Sequence, residues 1–220
     1  MLRKLADNRD PGSLASRLRR QRLAWFAELL EGLDEPVSVL DVGGSLAFWK
    51  TTGAKVLPRC RITLLNLTLQ SEDPAAGVTA MVGDGRCIQG IADRSYTLCF
   101  SNSVIEHAGT LADQHAMANE IGRVARGYFV QTPYRHFPIE PHFLFPGWQY
   151  LPLVVRTQLW RRFHLGWMGR QPDAATARAL AEKIRLLDRR TMRALFPDGS
   201  LREERLGPFI KSLVAVRSPR

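Results

Sequence analysis

The run from Pro36 to Lys50 constrains this chain more than any other. Val37 to Val42 is almost continuously apolar, the pattern of a strand buried on both faces of a parallel sheet. It runs into Gly43-Gly44, and only backbone without a side chain turns that tightly and admits a close ligand. Asp41 stands at the strand's end, and Ser45 opens the following Leu-Ala-Phe-Trp-Lys segment. The expectation is a nucleotide-cofactor site at the tip of the first strand of a doubly wound α/β domain.

More strands of this kind follow, expected at 61–67, 78–82, 96–100 and 128–132. The third runs into Gly83-Asp84-Gly85, and the fourth into Ser101-Asn-Ser-Val-Ile-Glu-His107. Before them, Leu14, Leu18, Trp25, Phe26, Leu29, Leu30 and Leu33 recur at helical spacing after an Asp10-Pro11-Gly12-Ser13 start. Arg22 of that helix is a candidate partner for a cofactor carboxylate. Thr110 with Asp113 reads as a capping box, and Asp173 as the cap of a later helix. Residues 201–206 and 209–216, joined by Gly207-Pro208, read as a closing antiparallel hairpin.

These residues resemble the class I S-adenosylmethionine-dependent methyltransferases, in their type 11 small-molecule group. The carriers are Leu40-Asp-Val-Gly-Gly44, Val82-Gly-Asp-Gly-Arg86, Tyr96-Thr-Leu-Cys-Phe-Ser-Asn-Ser-Val-Ile-Glu-His107 and the ending Leu195-Phe-Pro-Asp-Gly with Lys211-Ser-Leu-Val-Ala-Val216. The resemblance implies a doubly wound, mostly parallel seven-stranded sheet with helices on both faces and a closing antiparallel hairpin. It implies S-adenosyl-L-methionine as cofactor. Asp41, Gly43, Gly44 and Ser45 would hold its methionine part, Asn66 and Leu67 its ribose, and Asp84, Gly85 and Arg86 its adenine. Ser101 and Asn102 would border the reacting centre. Two departures stand out: Ser45 and Ala47 replace the later glycines of the family turn, and Asn66 replaces the acid that grips the ribose.

Methyl transfer from a sulfonium needs alignment more than acid catalysis, and a base only for a hydroxyl or protonated amine. His107, with Glu106 beside it, is the expected base; Tyr134 and His142 are further catalytic candidates. His136, Glu140 and His142 could form a base, a substrate clamp or a pair of metal ligands. One Glu between two histidines at irregular spacing is weak metal evidence, and no metal is expected.

The chain divides into an N-terminal helical segment (1–36), a cofactor half (37–132), an aromatic and Pro-rich substrate cap (133–172), and a helix with the hairpin (173–220). Of the net charge of +10, residues 133–220 carry +9, from 16 basic and 7 acidic groups. A basic second half suggests an anionic acceptor, small or lipid- or sugar-linked. The aromatic and arginine mixture of 143–167 suits either a substrate tunnel, a membrane-surface contact or a packed helix with snorkelling arginines. RNA methylation ranks lower, since no RNA-binding module is recognisable. A non-catalytic scaffold is the rival from another class, and a nicotinamide dehydrogenase lacks its glycine pattern. The opening residues have no apolar leader core, and no window could span a bilayer. Cys60, Cys87 and Cys99 read as small buried thiols of a reduced, cytosolic chain, peripheral at most to the inner membrane face.

Overall fold

Strand tips are pinned to one another before any helix covers them. The backbone N–H of Gly43 donates to the Leu65 carbonyl (2.9 Å), and that of Gly83 to Asn66 (2.8 Å), so the turns after three strands share one edge. The computed structural model describes Asp10 and residues 12–219; residues 1–9, Pro11 and Arg220 lie outside the described residues. Elements run α1 (Leu14–Leu29), β1 (Val37–Val42), α2 (Leu46–Thr51), β2 (Cys60–Asn66), β3 (Val78–Val82), β4 (Tyr96–Asn102), α3 (Leu111–Val124) and β5 (Ala125–Pro133). Then come the short pair β6 (Ile139–Glu140) and β7 (Phe145–Pro146), α4 (Leu153–Arg162), α5 (Ala174–Lys183), α6 (Arg189–Leu195), β8 (Ser200–Leu206) and β9 (Phe209–Arg217).

Seven strands form one sheet in the order β3-β2-β1-β4-β5-β9-β8. β1 to β5 pair in parallel, and β9 joins antiparallel to β5 and to β8. This is the expected doubly wound α/β sheet with its closing hairpin. The strand order reverses between β1 and β4, which opens a crevice outside their carboxyl ends. The crossovers are leaner than strand–helix alternation suggests. β2 reaches β3 through one 3₁₀ turn, Pro74–Ala76, and no helix is assigned between β3 and β4.

Both faces of the sheet are apolar because side chains alternate along each strand. Val37, Val39, Leu98, Phe100, Phe129 and Val214 meet Phe26 of α1, Leu30 at that helix's C-cap and Trp49 of α2. Leu40, Val42, Cys99, Val130, Leu213 and Ala215 meet Met117 and Ile121 of α3 and Met192 of α6. The ring of Phe26 lies edge-on to Phe100 at 5.0 Å, and Phe100 stacks on Phe129 at 5.6 Å. Each such ring, fully buried, contributes about 1.5–3 kcal/mol from apolar area.

A third apolar cluster lies off the sheet. Phe143, Trp148 and Trp160 close on Ala177 and Ala181 of α5, with Phe143 and Trp148 stacked at 4.1 Å. The aromatic stretch after β5 thus contains an ordered helix, α4, whose Trp160 and Thr157 are buried. Its periodicity is hidden in the sequence because Val154 and Val155 stay exposed. Cysteines depart from expectation once: Cys60 and Cys99 are buried, but Cys87 is exposed in the turn after β3.

Candidate functional site

The glycine turn after β1 is shaped by its own neighbours. Gly43 takes φ +82°, and a Cβ there would lie 2.4 Å from Cγ2 of Val104. A Cβ on Gly44 would lie 1.6 Å from Oδ2 of Asp41. Both glycines are therefore required by packing. Ser45 caps α2, its hydroxyl accepting from the Phe48 N–H (3.3 Å). Asp41 is buried, and its Oδ2 accepts from Nε1 of Trp49 (2.7 Å). Its Oδ1 is buried with no hydrogen-bond partner among the described residues. Burial pushes this carboxyl up to about 7, only partly opposed by the indole bond.

Asn66 ends β2 and donates from Nδ2 to the Gly44 carbonyl (3.0 Å), which ties the second strand's tip to the first turn. The amide oxygen has no protein partner among the described residues. Leu67, the next residue, is 72% exposed, and Val82, opposite Asn66 on β3, is 58% exposed. Two large apolar side chains left in water at adjacent strand tips are suited to a planar apolar ring. Asp84 follows, its carboxylate forked by Arg86: Nη2 donates to Oδ2 (2.6 Å) and Nε to Oδ1 (3.0 Å). The Arg86 bond holds Asp84 below the usual carboxylate range. Arg86 also reaches Asp113 of α3 (3.2 Å). A Cβ on Gly85 would lie 2.7 Å from Cγ1 of Val42, so this turn lies close over β1.

On the other side of the reversal, Ser101 is buried and donates to the Val42 carbonyl (3.1 Å). Asn102 accepts from Nη1 of Arg22 (2.8 Å), and Arg22 is paired with Glu204 at 2.9 Å. Arg22 thus reaches the tip of β4 from α1, a link across 80 residues. It lines a cavity of about 230 Å³ at the carboxyl ends of β4 and β5. Arg19, Lys211, Ser103 and Gln131 share that wall, facing Leu14, Phe137, Ile139, Leu144 and Trp167. Sequence reasoning missed Arg19 and Lys211, because only the folded sheet brings β9 beside α1. Burial lowers the Arg19 guanidinium to about 10 and also lowers Lys211. Two of these cations, Arg22 and Lys211, share one buried carboxylate, Glu204, with Arg19 beside them on the same wall.

The catalytic candidates separate into two groups. Glu106, His107 and His142 come together, with one ligand-type atom of each within 4.8 Å of the others. Nε2 of His107 lies 3.1 Å from Nε2 of His142, and Nδ1 of His142 lies 2.5 Å from Oε1 of Glu140. Glu106 is fully buried, its Oε2 accepting from Thr132 (3.0 Å). Burial pushes the Glu106 carboxyl up to about 7. Desolvation first, and His142 second, bring the His107 imidazole down to about 4, which makes it a weak proton acceptor. Glu140 raises His142 against the effect of burial. Tyr134 and His136 lie elsewhere. Tyr134 bridges to Leu187 and meets the His136 ring at 5.3 Å, while His136 bonds Tyr150 (2.7 Å).

A larger cleft of about 630 Å³ lies between the start of α3 and the end of α5, lined by Thr110, Asp113, Arg135, Arg156 and Arg185 among others. It does not reach the glycine turn after β1. Among the described residues no helix is long and apolar enough to cross a membrane.

No family model matches the chain, and no curated protein matches it. Solved structures do. A Rhodobacter sphaeroides chain named for zinc-dependent alcohol dehydrogenases superposes with TM-score 0.58 at 14% identity, over 92% of this chain and 99% of that one. A Methanosarcina mazei S-adenosylmethionine-dependent methyltransferase gives 0.54 at 9% identity, over 84% and 92%. The CurJ carbon methyltransferase gives 0.53 at 10% identity, over 91% of this chain and 54% of that one. Strand order, hairpin and the two methyltransferase neighbours agree: the chain has the fold of the class I S-adenosylmethionine-dependent methyltransferases.

Proposed function

We propose that this protein is an S-adenosylmethionine-dependent methyltransferase whose acceptor is a small anion with an apolar body. One observation carries the reading: a glycine turn and a cationic cavity stand on opposite sides of the strand-order reversal, at one edge of one sheet. Ligands of open α/β sheets bind at that edge. The fit to the cofactor rests on three features. Asp41 has an unpartnered buried oxygen, suited to an ammonium donor. Asn66 has an amide oxygen to spare, and Leu67 and Val82 offer apolar surface for an adenine ring. A Haemonchus contortus phosphoethanolamine N-methyltransferase in complex with S-adenosyl-L-methionine shares the fold, with TM-score 0.51 at 13% identity, over 83% of this chain and 38% of that one.

The cofactor, when bound, supplies an electrophilic methyl group and a neutral leaving group. The chain's own work is alignment. Gly43, Gly44 and Gly85 keep the turns close, and Arg22 braces Asn102 beside the crevice. The cavity of about 230 Å³ falls below the usual range for drug-sized ligands, roughly 300–1,000 Å³, and so favours a small acceptor. Three cations around a single buried carboxylate leave an excess of positive charge that is costly in partly apolar surroundings, and an anionic acceptor would relieve that cost.

Calorimetry with S-adenosylmethionine tests the cofactor half, and release of S-adenosylhomocysteine across a panel of small carboxylates and phosphates tests the acceptor half. Asp84→Ala should weaken cofactor binding at least tenfold. Arg19→Ala and Lys211→Met should each raise the acceptor KM about tenfold, roughly 1.4 kcal/mol of binding, with the cofactor Kd unchanged. No heat with the cofactor would leave a non-catalytic scaffold as the better reading.

A further inference from the structure

The Glu106, His107 and His142 cluster offers chemistry that alignment of a methyl donor does not use. The two imidazoles approach through the same atom type, Nε2 to Nε2 at 3.1 Å. Nδ1 of His142 faces the Glu140 carboxylate at 2.5 Å, so it carries the proton and leaves the Nε2 lone pair outward. Two imidazole nitrogens bound to one zinc-sized ion at about 2.0–2.1 Å would lie about 2.9–3.4 Å apart, depending on the angle between the bonds. The observed separation falls inside that interval.

A second observation points to a ligand independently. Glu106 is fully buried at the same place, and its Oε1 has no hydrogen-bond partner among the described residues. A buried acceptor left unsatisfied is costly, more so for a charged group, and a bound cation would remove that cost. The surrounding bonds form the outer layer expected of a metal site. Glu140, 1% exposed, accepts from Nδ1 of His142 and, through Oε2, from the backbone N–H groups of His142 (2.9 Å) and Phe143 (2.7 Å). Thr132 donates to Oε2 of Glu106. Both ligand-bearing loops are thereby oriented in advance. The three ligand atoms lie within 4.8 Å of one another, so closing on one ion asks for a shift of about an ångström. The exposed His107 ring is free to make it.

We infer that Glu106, His107 and His142 form a binding site for a divalent transition cation of the zinc class, with Glu140 and Thr132 as positioning residues. Two imidazoles and one carboxylate suit zinc, iron, cobalt or nickel better than magnesium or calcium. Three protein ligands keep a coordination position open, which an oxygen of an incoming molecule could take. His107, expected from the sequence to be a base, then has its lone pair committed to the ion. The inference goes beyond the methyl-transfer reading and does not depend on it, since the ion is measured without cofactor or acceptor.

The test uses the full chain stripped with a chelator, then titrated with Zn²⁺ by calorimetry and with Co²⁺ by visible absorption. The expected result is one ion per chain and a cobalt spectrum of low coordination number. His107→Ala and His142→Ala should each weaken binding at least a hundredfold. Glu140→Gln, which leaves all three ligands in place, should weaken it about 10–100-fold. His115→Ala on α3 serves as the histidine control and Cys87→Ser as the thiol control; both should bind as the parent does. His107 is exposed, so its variant should keep the parent circular dichroism and melting point without metal. Absence of binding by the parent chain overturns the site, as does binding that survives His107→Ala or disappears in Cys87→Ser.

Discussion

Asp41 is where the residue scale is most informative. Its two carboxylate oxygens live differently, one on the Trp49 indole and one without a partner. With its pKa pushed up to about 7, the folded state prefers the proton. That preference stabilises the fold fully below about pH 4, fades as pH rises through 7, and is gone above it. Asparagine does not titrate and keeps an acceptor for Trp49. The stability of Asp41→Asn relative to the parent should therefore grow from pH 5 to pH 8. At about 1.4 kcal/mol per pKa unit, the change is on the order of a few kcal/mol. Thermal melts across that range check it, and parallel pH curves for the two proteins would refute it. Glycines give a second contrast. Gly44→Ala drives a Cβ into the Asp41 carboxylate and should cost several kcal/mol or prevent folding. Gly122→Ala, in α3 with open space around it, should stabilise by about 0.5–1 kcal/mol in urea titrations.

Elements differ in how far the sequence announces them. The capping box of α3 is present as Thr110 and Asp113 suggest, with Asp113 Oδ2 accepting from the Thr110 N–H (2.7 Å). Thr110→Ala should cost about 1 kcal/mol of unfolding free energy, read by chemical denaturation. β1 and β4 were equally legible, because a strand buried on two faces has few polar positions to confuse the pattern, while the closing hairpin is marked by its Gly207-Pro208 turn. α4 was not, since its exposed valines break the period and Pro152 stands directly before it. The site follows the same division. Gly43, Gly44 and Asp84 are legible because a turn writes itself in neighbouring residues. The Trp49 bond to Asp41, the Arg22 bond to Asn102, and the meeting of His107 with His142 depend on how the elements fold together. Local pattern carries no trace of them.

For the molecule as a whole, charge and architecture divide along the same line. The β1–β3 side offers neutral amide and apolar surface, while the cations of α1 and β9 gather around the β4–β5 cavity. Acceptor binding should weaken with added salt more than cofactor binding does, because only the former meets a wall on which cations outnumber carboxylates. Paired calorimetric titrations at low and high ionic strength check this; equal salt slopes would count against the assignment of the two sides.

The aromatic cluster of Phe143, Trp148 and Trp160 has an interior of its own, separate from both faces of the sheet. Repacking inside it would leave every strand pairing of the main sheet in place, so the two interiors can change independently. Damage to this second interior should loosen the stretch between β6 and α5 first, with the sheet and its turns the last to give way.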